Sequence, residues 1–146
     1  MAQTFHLTAT DHTDYSYAIQ QGSTFDSVTF LHPDNLTTWN ARGQIRDNYA
    51  DLGGVIKATF TFPTLVYEPV TIGTVTKSYT KIKPTLSAAV TQALVFDLKK
   101  RIDSTVTAVP GKNVWVYDVE VYSSDVVPVV YRIGEGFVEI SKEVTR

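Results

Sequence analysis

Alternation of apolar and polar residues is the strongest signal along this chain. Trp39, Ala41, Gly43 and Ile45 alternate with Thr38, Asn40, Arg42, Gln44 and Arg46. A period of two with one apolar face predicts a half-buried strand. Ile56, Ala58, Phe60 and Phe62 alternate with Val55, Lys57, Thr59 and Thr61 in the same way. Asp51-Leu52-Gly53-Gly54 lies between the two runs and supplies a turn, so they read as antiparallel neighbours. Asn113 to Tyr122 is the clearest strand, with Trp115, Tyr117, Val119 and Val121 on one face.

Weaker runs complete the pattern. Tyr15, Tyr17 and Ile19 alternate with small or polar residues. Gln21-Gly22-Ser23 turns, Phe25 to Leu31 reads as a strand, and His32-Pro33-Asp34-Asn35 reads as a loop. After Tyr122, Ser123-Ser124-Asp125 turns and Val126 to Ile133 returns, with Pro128 marking an edge or a bulge. Gly134-Glu135-Gly136 breaks the chain and Phe137 to Ser141 closes it. Pro63 to Lys83 is rich in Val, Thr, Tyr and Ile and reads as a protruding hairpin.

One helix is expected, from about Ser87 to Arg101. Ser87 caps it, Val90, Leu94 and Leu98 form one apolar stripe, and Lys99-Lys100-Arg101 suits its negative end. A helix of this kind closes an open end of a sandwich. Many short strands with regular turn signals predict an all-β fold, an immunoglobulin-like antiparallel β-sandwich with one short helix and a β-rich protrusion. The 146 residues suffice for one such domain with a sizeable core.

Composition removes several function classes. There is no cysteine, so disulfides, thiolate zinc sites and a cysteine nucleophile are absent. Thirteen basic residues against fifteen acidic ones leave no basic stripe, so nucleic acid is not an expected partner. No apolar run reaches the ~20 residues of a membrane span, and the first residues carry no secretory leader pattern. The expected site of synthesis is a reducing cytoplasm.

Candidate chemistry is thin. His6, His12 and His32 lack metal-ligand spacing and read as solvated surface histidines. Asp11, His12 and Asp14 lack the full calcium-loop pattern. No serine sits in a nucleophile elbow, and no glycine loop suits a phosphate. Asp118 and Glu120 read as the polar face of a strand. No catalytic residue, metal or cofactor is therefore expected. The eight tyrosines, among them Tyr15, Tyr17, Tyr67, Tyr79, Tyr122 and Tyr131, suit sheet packing, with a minority free for an interface or a sugar-stacking platform.

Three stretches carry a resemblance. Gln21-Gly22-Ser23-Thr24-Phe25 looks like an opening "QGDTF" turn and strand. The run from Asn35 to Arg46, NLTTWNARGQIR, is similar to "DLTGxTARMQIR". In the last third, Tyr117 to Val121 resembles "YDLEL", Arg132 to Gly136 resembles "RLLEG", and Val138 to Arg146 resembles "VTVSPEVTR". Together they resemble a family of small tail-associated structural proteins of tailed bacteriophages and prophages. The pattern is also similar to the N-terminal domain of baseplate receptor-binding-complex proteins. Gly134 stands where the pattern has a bulky residue, which predicts a kink or bulge. Residues 63–83 lie outside the resemblance and read as an elaboration.

The resemblance implies a non-enzymatic virion protein, an adaptor on tail, baseplate or neck that holds neighbouring components or fibres. Its partners would be other virion proteins in multiple symmetric copies, with the tail a better place than the head. A capsid decoration or cement protein, and a carbohydrate-binding module contacting host glycans, are the alternatives. Contact is expected from arms at 1–10 and 142–146 and from the elaboration. The candidate interface residues are Phe5, Leu7, Tyr67, Val70, Ile72, Tyr79, Glu143, Val144 and Arg146.

Overall fold

A computed structural model describes residues 3–4, 19–94 and 112–141. The fold is all-β, in two sheets. The larger sheet contains β1 (Gln3–Thr4), β2 (Ile19–Gln20), β4 (Asn40–Arg46), β5 (Ile56–Thr59), β8 (Lys112–Tyr122) and β9 (Val130–Ser141). Its order is β1-β9-β8-β4-β5, with β2 also on β9. The smaller sheet has β3 (Phe30–His32), β6 (Val66–Ile72) and β7 (Val75–Ile82), in the order β3-β7-β6.

The alternation around Trp39 and Trp115 is realised. Gly43 and Ile45 of β4 and Trp115, Tyr117, Val119 and Val121 of β8 turn inward. Arg42, Gln44, Arg46, Asp118 and Glu120 turn outward. The two strands pair antiparallel from Asn40↔Tyr122 to Arg46↔Val116. β5 pairs antiparallel with β4 as expected, but Ile56 is exposed. The register shifts between Ile45 and Arg46, which takes the first residue of β5 off the core face.

β8 and β9 form the longest pair. Gly134 does not break β9, contrary to the expectation of a break at Gly134-Glu135-Gly136. It pairs with Val119, while Glu120 pairs with Arg132, so Ile133 is the extra residue of a bulge. The kink expected at Gly134 is thus present inside a continuous strand. A Cβ at Gly134 would lie 2.6 Å from the Phe30 ring. The missing side chain lets β3 of one sheet press against β9 of the other.

The core fills the space between the sheets. Phe30, Leu65 and Ile82 come from the smaller sheet and its connections; Ile45, Trp115, Val119, Val138 and Ile140 come from the larger one. Thr80, fully buried, ties the loop after β3 to β7. Its hydroxyl donates to the Asp34 carbonyl at 2.6 Å and accepts from the Leu36 N–H at 2.9 Å. Trp115 Nε1 is buried without a hydrogen-bond partner.

Three further expectations are corrected. Phe25 to Leu31 is not one strand. Phe25 makes an isolated bridge to Leu86, and only Phe30–His32 is extended in a sheet. Phe25, Val28 and Phe30 are all buried, and their uneven spacing suits an irregular segment. Val126 to Val129 is a loop, because β9 begins at Val130. The helix, α1, spans Ala88–Gln92 with Ser87 as its cap, and Ala93 ends it.

Its buried residue is Thr91, and Val90 is exposed, so Val90 does not share a buried apolar stripe with Leu94; Leu98, the third residue of the expected stripe, lies outside the described residues. The Thr91 hydroxyl instead donates to the Ser23 carbonyl at 2.7 Å and accepts from Gly22 N–H at 3.1 Å. The remaining part of the expected helix, from Val95 to Arg101, lies outside the described residues.

Candidate docking surfaces

The elaboration is a β-hairpin, as its sequence predicts. β6 and β7 pair from Val66↔Lys81 to Ile72↔Val75, leaving Gly73 and Thr74 as a two-residue turn. Gly73 has φ 65°, the left-handed conformation that such a turn needs. β3 pairs with β7 only over Thr80–Ile82. From Val75 to Tyr79 the β3 side of β7 therefore carries no described strand. On β6, Pro69 takes an edge position, where its missing N–H costs nothing.

Cross-strand pairing assigns the faces. Val66, Glu68, Val70 and Ile72 of β6 lie beside Lys81, Tyr79, Lys77 and Val75 of β7. Val66, Ile72 and Val75 are exposed, and Val70 and Tyr79 are half-buried. Lys81 Nζ and Glu68 Oε1 are 2.6 Å apart, and Lys77 Nζ sits 5.8 Å from the Tyr79 ring centre. This makes an apolar stripe with lysines and a glutamate beside it. Three sequence candidates, Val70, Ile72 and Tyr79, fall on this outward face. Tyr67 falls on the other, the face that continues into the core at Thr80 and Ile82. Phe5, Leu7, Glu143, Val144 and Arg146 lie outside the described residues, as do His6, His12, Tyr15 and Tyr17.

The outer face of the larger sheet is charged. Glu120 pairs with Arg42 at 3.0 Å and Arg132 at 3.3 Å, and Arg132 reaches Glu135 at 3.4 Å. The Arg42 guanidinium lies 4.6 Å from the Tyr122 ring centre. Beside this network an open cleft of about 600 Å³ is lined by Arg46, Tyr49, Val116, Asp118, Arg132 and Phe137, among others. Burial raises the Asp118 carboxyl above its ordinary pKa of 3.8, and the Glu120 carboxylate adds to this. A Gln44 backbone hydrogen bond, Arg132 and Arg46 oppose the shift. The ion pairs are partly exposed and contribute little stability each, about 0–1 kcal/mol.

His32 is half-buried rather than freely solvated. Its ring stacks on Tyr131 at 5.3 Å, and Tyr131 stacks on Trp39 at 5.0 Å. His32 Nδ1 accepts the Asp34 N–H at 3.1 Å. Burial lowers its pKa below the ordinary 6.5, against the pull of Asp34. This stack joins the end of β3 to the start of β9. The Tyr131 ring faces are thus engaged by protein rings, which leaves it a poor platform for a sugar.

One surface escaped sequence reading. Val126 is 102% and Val127 82% exposed in the loop between β8 and β9. The signal was present: Val126-Val127-Pro128-Val129-Val130 is apolar without alternation directly after a turn, and alternation is what marks a half-buried strand.

Among the described residues no group of His, Cys, Asp or Glu is arranged to hold a metal ion. Among them, too, no helix is long and apolar enough to cross a membrane. No family model matches this chain, and no curated protein matches it.

Proposed function

We propose that this chain is a structural component of a tailed-phage particle, an adaptor that holds neighbouring proteins through its β surfaces. The hairpin β6–β7 carries this reading. It extends past β3, the one strand that braces it among the described residues, and presents Val66, Ile72 and Val75 outward, with half-buried Val70 on the same face. A two-stranded hairpin alone is marginally stable in water. Open strand edges and an exposed apolar face are the means by which β proteins add a partner strand or cover a partner's surface.

The strand order supports an immunoglobulin-like reading of the sandwich. β9-β8-β4-β5 has the order G-F-C-C′, and β3-β7-β6 the order B-E-D, of a variable-type domain. The tail-protein resemblance in the stretches 21–25, 35–46, 117–121, 132–136 and 138–146 supports this choice of particle, and tail or baseplate is favoured over head.

Mass spectrometry of purified particles from the encoding phage or prophage tests the first part. The chain is expected among the virion proteins, and its absence from clean particles would sink the reading. Replacing Val70, Ile72 and Val75 together by Ser tests the second part. The variant is expected to fold yet to be missing from particles; normal incorporation would remove the hairpin from the docking surface.

A further inference from the structure

β5 closes one end of the larger sheet. Among the described residues, Ile56–Thr59 has a strand on one side only, because β5 is last in the order β1-β9-β8-β4-β5. Farther along, Thr61 and Thr85 exchange backbone hydrogen bonds at 2.9 and 2.8 Å, which engages the chain there. An open strand edge offers unpaired N–H and C=O groups to any other strand. The side chains add to this hazard, since Val55 and Ile56 are exposed. Val55 to Phe62 reads VIKATFTF, rich in strand formers, without proline and with a single charge, Lys57. Without that charge, a segment of this composition stacks readily into intermolecular sheets.

The fold gives this one charge a particular place. Ile45 pairs with Ala58 and Arg46 with Ile56, so Lys57 is the extra residue of a bulge. A bulge re-aims a side chain, and here it takes Lys57 out of the alternation with Ala58. Lys57 Nζ lies 5.6 Å from the ring centre of buried Trp115 and 3.9 Å from Asp47 Oδ2. Asp47 is itself buried and fixed. Its Oδ1 accepts the Val55 N–H at 2.7 Å, and its own N–H donates to the Val55 carbonyl at 3.1 Å. The ammonium is therefore held against the inner side of the edge, with 26% of the side chain still exposed.

We infer that Lys57 guards the β5 edge, keeping it from pairing with β5 of a second copy. Two antiparallel β5 strands related by a two-fold axis form a self-complementary contact. With full overlap the two Lys57 residues fall opposite each other or one residue apart, which brings two ammonium groups together. Like charges directly opposite destabilise a strand pair. The covering strand also takes away the water that still reaches the ammonium, and an incompletely paired charge resists this. A very short strand, a bulge and an inward-pointing charge are three means by which β proteins blunt an edge, and β5 has all of them. This role does not depend on the phage reading.

Sedimentation velocity of the full chain over a concentration series tests it. Lys57→Met keeps the apolar stem and removes the charge; Lys57→Thr removes the charge and suits a strand. Both are expected to self-associate about 10-fold more tightly than the parent, the scale of one relieved like-charge contact. Ile56→Lys, at an exposed position of the same edge, is expected to return Lys57→Met to the parent's level. Ala58→Gly weakens the buried side of β5 but keeps the charge, so it reports on lost stability alone and is expected to associate as the parent does. Circular dichroism and urea denaturation follow the fold of each variant. Neutral variants that associate no more than the parent would overturn the inference. So would association that Ile56→Lys does not reverse, or Ala58→Gly associating as strongly as the neutral variants.

Discussion

The described residues contain two long β-hairpins of similar composition and opposite fate. In β8–β9 the strand β8 is buried along one face, with Trp115, Tyr117, Val119 and Val121 at 3% exposure or less. β6–β7 is just as rich in Val, Ile, Thr and Tyr, yet Val66, Ile72 and Val75 face outward. The difference is in neighbours. β8 has β9 along its length, β4 along Val116 to Tyr122 and the smaller sheet across the core. Among the described residues, β7 has two strand neighbours only over Thr80–Lys81, and its fully buried residues, Thr80 and Ile82, lie at that braced end. Apolar content therefore does not decide burial here; a place against the facing sheet does, since Ile82 and Trp115 are buried with one described strand neighbour each.

The largest test places a carboxylate at the centre of the braced hairpin. Val119→Asp puts a charge at a position with 0% exposure inside the hydrophobic core cluster. Burying a charge without a partner is among the few single changes that cost more than about 4 kcal/mol. Thermal or urea denaturation is expected to find the variant largely unfolded. A folded variant with wild-type stability would show that this face is not the core.

Next in size is the contact between the sheets. Gly134→Ala brings a Cβ within 2.6 Å of Phe30 Cζ and 2.7 Å of Cε1. Something must shift, and overpacking of this kind costs about 1–3 kcal/mol. Phe30→Leu is expected to cost stability alone but to recover part of it when combined with Gly134→Ala. Additive losses in the double variant would mean that the two positions do not meet.

The same logic of bracing explains what sequence reading reached. The strands around Trp39, Ala58 and Trp115 were legible because each shows alternation enforced by a core on one side and water on the other. The hairpin was legible from Pro63, Pro69 and Gly73. The outward direction of Val70 and Ile72 was not, because alternation of Val with Thr does not tell which face meets a second sheet. Phe25 and Val28 misled: both are buried, but in an irregular segment held by the Phe25–Leu86 bridge. Val126 to Val129 misled in the opposite sense, since strand-forming residues here sit in a loop fixed by Ser123. Thr91 replaced Val90 as the inward residue of α1 because its hydroxyl serves the turn at Gly22 and Ser23. Long-range hydrogen bonds of this kind leave no trace in local periodicity.

Smaller again is the proton sensitivity of the aromatic stack that joins β3 to β9. Neutral His32 accepts the Asp34 N–H, and burial lowers its pKa below 6.5. The unfolded chain then binds more protons than the folded one as pH falls through and below 6.5, so stability falls with pH in that window. The contribution is fully present above 6.5 and lost as pH drops through the depressed folded value. His32→Gln is expected to flatten this part of the curve of stability against pH. An unchanged slope in the variant would assign the sensitivity to another group.

The smallest expected effect completes the contrast. Val75→Asp makes the same chemical change as Val119→Asp, in the unbraced hairpin, at a residue 64% exposed. A charge there stays in water, with Lys77 nearby on the same face. Surface changes of this sort fall within about 0.5 kcal/mol of the parent. The denaturation midpoint is expected to move little, while docking through the hairpin is expected to fail. A large loss of stability would mean that the hairpin face is covered by the protein itself. Unimpaired docking with unchanged stability would leave Val75 with neither a folding nor a binding role, and the apolar stripe beside it would lose its explanation. A selective loss of docking is the outcome that separates the two hairpins: it would show that the inward residues of β8 make the fold while the outward residues at the start of β7 serve contact.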